Sequence, residues 1–133
     1  MKIIKSFSLI GVVLLMISCA STANFPVSNT VPAAEITAKK KQDKNKNYVI
    51  ELTAKNLAEA SRLNPPMNNY SVWIVADNGT IKNIGQLSNK NAKTAVLKAV
   101  TPFNVNEIFI TAEKQGNLSY PGGIEISRMT FTK

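Results

Sequence analysis

Histidine is absent from this 133-residue chain, and cysteine occurs once, at position 19. Without histidine there is no Ser-His-Asp or Cys-His relay, and a zinc or copper centre loses its commonest ligands. A single cysteine forms no intrachain disulfide, so stability has to come from packing and strand pairing even in an oxidising compartment. No apolar run reaches the ~20 residues that a membrane-spanning helix requires. What catalytic material remains is thin. A Ser88/Lys90 dyad falls in a polar Asn/Lys stretch where neither pKa has reason to move. Glu107 and Glu113 sit at opposite ends of one candidate strand, roughly 20 Å apart at ~3.3 Å per residue. Glycosidase carboxylates need a separation of ~5–10 Å. The sequence therefore reads as a protein that is not an enzyme, with no cofactor and no metal.

The cysteine closes an apolar run. Lys2 and Lys5 give a positive n-region, and residues 7–17 form a short, mostly apolar h-region. Met16, Ile17, Ser18 and Cys19 then resemble the lipobox of bacterial lipoproteins, in which the cysteine is lipidated and the signal is cut before it. Met16 departs from the usual leucine. The expected organisation is a signal peptide over 1–18, then a lipid attached at Cys19. Acyl chains contribute ~0.8 kcal/mol per buried methylene, enough in combination for stable anchoring. Ala20 stands where an aspartate commonly retains lipoproteins in the inner membrane of enteric bacteria. The expected location is the cell envelope, at the outer membrane.

Positive charge is unevenly spread. The formal net charge is +8, and the stretch Lys39-Lys40-Lys41-Gln42-Asp43-Lys44-Asn45-Lys46 supplies half of it. Residues 20–46 show no sustained apolar periodicity, so 19–46 reads as a lipidated, lysine-rich flexible tether. Its lysines read as a solvated spacer, with contact to anionic head groups as the alternative. No aromatics interleave with them, which argues against a nucleic-acid partner.

From Asn47 the pattern changes. Tyr48, Ile50 and Leu52 alternate with Val49, Glu51 and Thr53, the period of a strand. A single helical turn is expected over 57–63, ended by Asn64-Pro65-Pro66. Tyr70 to Ala76 is apolar on both faces, as a central, doubly covered strand would be. Asp77-Asn78-Gly79 marks a hairpin turn, and Gly85 marks a bulge in the strand that follows. Three more strands are expected over 93–100, 107–113 and 124–132. In the last, the apolar phase shifts from Ile124 and Ile126 to Met129 and Phe131, which requires a bulge or bend near Ser127. Residues 47–133 are thus predicted to be an all-β domain, a small antiparallel immunoglobulin-like β-sandwich of about six to seven strands. A partly closed β-barrel is the alternative.

Two aromatic positions bear on binding. Trp73, mid-strand in the most apolar segment, reads as a sandwich core residue rather than a ligand-stacking platform. Tyr120-Pro121-Gly122-Gly123 is the candidate partner-binding loop. An aromatic beside proline and two glycines either presents a rigid tip to a partner or glycan, or forms a turn in which the glycines take unusual dihedrals and Tyr120 packs inward. The second is the commoner arrangement.

The run Asn64-Pro65-Pro66, then Tyr70-Ser-Val-Trp73-Ile-Val, Asn78-Gly79 and Ile84-Gly85-Gln86-Leu87, resembles the extracytoplasmic C-terminal domain of anti-sigma-K-type factors. Phe109-Ile-Thr-Ala-Glu113, Gly116 and Tyr120-Pro121-Gly122-Gly123 resemble that family's late strand and the loop after it. The resemblance implies a β-sandwich and an external module that senses or receives a signal. It does not extend to a sigma-binding region, so no direct sigma-factor partner is expected. A regulatory accessory in envelope-stress signalling is what the likeness alone would suggest. The residues themselves point to a non-catalytic, membrane-anchored binding or accessory module whose partner is an envelope protein or glycan.

Overall fold

The computed structural model describes residues 20–88 and 93–131. In chain order the strands are β1 (Ser21–Asn24), β2 (Glu35–Gln42), β3 (Tyr48–Lys55), β4 (Asn69–Ala76), β5 (Ile81–Leu87), β6 (Thr94–Thr101), β7 (Val105–Glu113) and β8 (Ile124–Thr130). They build two four-stranded antiparallel sheets, ordered β1-β2-β3-β6 and β5-β4-β7-β8. The β2–β3 hairpin lies in the first sheet and the β4–β5 hairpin in the second. The chain then returns to place β6 beside β3, crosses again to place β7 beside β4, and ends on β8. This is the immunoglobulin-like order of a sandwich. Among the described residues no strand pairing joins an edge of one sheet to an edge of the other, so the barrel alternative does not apply.

The core follows from alternation. Ile36 and Ala38 of β2, Ile50, Leu52 and Ala54 of β3, and Ala95 of β6 point inward from one sheet. Tyr70, Val72 and Ile74 of β4 and Ile108, Ile110 and Ala112 of β7 meet them from the other. One 3₁₀ turn, Ala60–Arg62, lies where the helical turn was predicted, and the Tyr70 hydroxyl donates to the Ala58 carbonyl beside it (2.6 Å). Both predicted irregularities are present. The β4–β5 register shifts between Val72 and Trp73, opposite Gly85, whose φ of 138° suits only glycine. The β7–β8 register shifts where Ser127 faces Ile110 and Glu125 faces Thr111. Ile126 is the extra residue, and the shift lets Ile126, Met129 and Phe131 all be buried.

The domain boundary expected at residue 47 fails. Residues 20–46 are not a tether: β1 and β2 come from this stretch and pair along the first sheet, so the described residues contain eight strands, two of them before residue 47. The lysine run is part of that sheet. Lys39 and Lys41 point outward from β2, whereas Lys40 points inward. Its ammonium donates to the Val105 carbonyl (2.7 Å) and Asn104 Oδ1 (3.2 Å) and lies 4.6 Å from the Phe131 ring centroid. Burial lowers the Lys40 pKa, partly offset by the charge of Asp77. Lys40 therefore plugs one end of the core. That end also carries the start of β1, the turn 43–47, the β4–β5 turn and the loop 102–104. The opposite end carries the segment 56–68 and the loop 114–123.

Candidate functional site

Trp73 is buried, but not between the sheets as expected. It shares the outer face of the second sheet with Ser71, Phe109, Thr111 and Glu113, because these alternate with the inward residues of β4 and β7. Phe109 stacks on Trp73, with ring centroids 6.2 Å apart and planes 13° apart. Arg128 of β8 lies 4.1 Å above the Phe109 ring and donates to Glu125 Oε1 (2.6 Å) and Glu107 Oε1 (3.4 Å). Burial works against the Arg128 charge, but its hydrogen bonds and ion pairs with Glu125 and Glu107 outweigh this and raise its pKa.

A sheet face that buries two aromatic rings and three polar side chains needs a cover, and the loop 114–123 lies over it. Asn83, which pairs with Trp73 across β4 and β5, donates from Nδ2 to the Leu118 carbonyl (3.0 Å). Asn68 Nδ2 donates to the Lys114 carbonyl (2.8 Å). At its return the loop is clasped by Glu113, which is only 1% exposed. The Gly122 amide donates to Glu113 Oε1 (2.9 Å) and the Gly123 amide to Oε2 (2.9 Å). Thr111 Oγ1 donates to the same carboxylate (3.3 Å) and accepts from Trp73 Nε1 (2.8 Å). A hydrogen-bonded chain therefore runs from the indole through Thr111 and Glu113 to the loop backbone. Ser71 Oγ, buried on the same face, makes no hydrogen bond.

The glycines act differently from the sequence expectation. Neither Gly122 nor Gly123 has positive φ. A Cβ at Gly123 would fall on the Ala112 carbonyl oxygen and lie 2.7 Å from Glu113 Oε1, so the position needs glycine for space. Nor does Tyr120 pack inward. It is 82% exposed, the most exposed large apolar side chain among the described residues, on a loop fixed on both flanks. Pro121 next to it is half-buried.

Of the other sequence candidates, only Glu113 converges on this loop. Glu107 and Glu113 both lie on β7, and Glu107 is engaged by Arg128. Ser88 is exposed on the rim of a groove of about 550 Å³ lined by Met67, Tyr70, Gln86 and Leu87, and Lys90 lies outside the described residues. Met16, Ile17, Ser18 and Cys19 lie outside them as well. The Glu113 clasp was missed by sequence reasoning. Its signal was a carboxylate that ends the run Ile108-Phe-Ile-Thr-Ala, nine residues before a Gly-Gly pair. No family model, curated protein or solved structure matches this chain.

Proposed function

We propose that this chain is a non-catalytic lipoprotein of the bacterial cell envelope, anchored through acyl chains on Cys19 at the outer membrane, and that it binds another envelope protein through the loop 117–123. The observation that carries this reading is Tyr120, an exposed aromatic on a loop whose backbone is clasped by a buried carboxylate. Binding through a fixed loop costs little ordering entropy, and tyrosine offers a large contact area with few rotors. The lipobox-like Met16-Ile-Ser-Cys19 supports the anchor.

The test is crosslinking in intact cells of a tagged chain, beside Cys19→Ala and Tyr120→Ala variants. One captured protein, lost in both variants, supports the reading. Capture that survives Tyr120→Ala assigns binding to another surface. Loss of protein capture together with retention on a cell-wall or surface glycan would make the partner a glycan. Turnover of an envelope substrate, abolished by a serine or carboxylate substitution, would overturn the non-catalytic reading.

A further inference from the structure

The structure carries a second surface, at the end where the chain enters the sandwich. β1 begins at Ser21 and pairs with Lys40, with Thr22 opposite Lys39. Cys19 is therefore two residues from a paired strand, a reach of at most ~7 Å. A lipid on Cys19 leaves no spacer: the bilayer surface must lie against this end of the domain. This inference rests on the lipid anchor proposed above.

The end has the chemistry of a surface that meets anionic head groups. Lys39, Lys41, Lys44, Lys46 and Lys82 are all exposed around it. Two aspartates share the region and both are engaged, and Glu51 stands cross-strand from Lys39. Asp43 Oδ1 accepts from the Asn45 and Asn47 amides inside the turn 43–47, and Asp77 Oδ2 accepts from Asn104 Nδ2. Among these lysines stands Phe103, 38% exposed on the loop 102–104, with the Lys82 ammonium 6.0 Å from its ring centroid. Ile81, at the start of β5, is 43% exposed on the same end. Lysines around a projecting aromatic are the residue types that settle at a membrane interface.

We infer that this end, with Lys39, Lys41, Lys44 and Lys46 around the chain entry and Phe103 beside them, seats the domain directly on an anionic phospholipid surface. The loop 114–123 is rooted at the opposite end of the sheets. Seating therefore directs the end that bears the Glu113 clasp away from the bilayer. Each lysine close to an anionic leaflet is worth about fivefold in partitioning.

The test uses the processed protein, purified from membranes. Its mass establishes whether Cys19 is lipidated. A second cysteine at Asn45 or, separately, at Ser119 carries a fluorophore. The proteins are reconstituted into vesicles of phosphatidylcholine alone, or of equal parts phosphatidylcholine and phosphatidylglycerol. A water-soluble quencher then reads accessibility. The expected result is that the Asn45 label is shielded in the anionic vesicles, is released by high salt, and loses shielding about fivefold per lysine when Lys44 and Lys46 are replaced by glutamine. The Ser119 label stays accessible throughout. A lipidated protein whose Asn45 label is as accessible as the Ser119 label in anionic vesicles would overturn the inference alone. An unlipidated Cys19 would overturn the anchor and the inference with it. Shielding that persists in detergent without lipid would place a second copy of the chain at this end, and would also overturn it.

Discussion

Replacing Glu113 by glutamine keeps its shape and removes its charge, which isolates the clasp. The wild-type carboxylate offers one oxygen to Gly122 and the other to Gly123, each at 2.9 Å. Glutamine accepts one of these bonds and presents an amino group to the other amide. One charge-assisted bond is lost outright, worth about 1.5–3 kcal/mol, and the remaining one is weakened to a neutral bond. Gly122 and Gly123 are exposed, so a released amide regains water, which pulls the net cost to about 2 kcal/mol. A domain with ~5–15 kcal/mol of stability stays folded after such a loss. Denaturant unfolding followed through Trp73, the single tryptophan, reads the global change. Amide exchange at Gly122 and Gly123 reads the local one. Glu125→Gln serves as the comparison: it breaks an exposed pair with Arg128 and should cost well under ~1 kcal/mol. If Glu113→Gln matches wild type in both the unfolding midpoint and the exchange of the two glycine amides, the clasp does not hold the loop.

Three further outcomes follow from the same geometry. Gly123→Ala forces its methyl onto the Ala112 carbonyl of β7, so it should destabilise the protein by about 3 kcal/mol and speed exchange across the β7–β8 pairing. Ser71→Ala removes a buried hydroxyl that makes no hydrogen bond, so it should raise the unfolding midpoint, by about 1 kcal/mol of stability. Burial pushes the Tyr70 phenol up to about 12. The unfolded chain ionises its tyrosine from about pH 10 while the fold still resists. The stabilisation from Tyr70 is thus fully present below that pH and is lost as pH rises towards the folded value. The stability difference between wild type and Tyr70→Phe should therefore fall by up to about 3 kcal/mol across this window. Taking the difference also cancels the opposite effect of the lowered Lys40 pKa. A difference that does not change with pH would contradict it.

The part of the fold from residue 47 onward was legible because its strands state their period plainly. Ile50, Leu52 and Ala54 face inward at every second residue, and Asp77-Asn78-Gly79 and Gly85 mark the turn and bulge that the structure contains. β1 and β2 were not legible, and the reason is physical. β1 has four residues, and in β2 the inward series Ile36, Ala38, Lys40 ends on a cation. Lys40 is tolerated there because carbonyl and amide oxygens and the Phe131 ring surround its ammonium, a compensation assembled from residues 64 and more positions away. Trp73 shows the same limit. Burial was readable from an apolar strand, but which face it occupies depends on the loop 114–123 folding back over β4 and β5. The exposure of Tyr120 likewise depends on the Glu113 clasp, which joins residues that no local pattern connects.

The most direct test of the binding role places a photoreactive residue at Tyr120 in the full chain, and separately at Val27, which is also well exposed (76%). Both are irradiated in living cells beside the same chains carrying Cys19→Ala. The account predicts one discrete protein adduct at position 120 that is absent at position 27 and disappears with Cys19→Ala. No adduct at 120, or the same adduct at both positions, would contradict it.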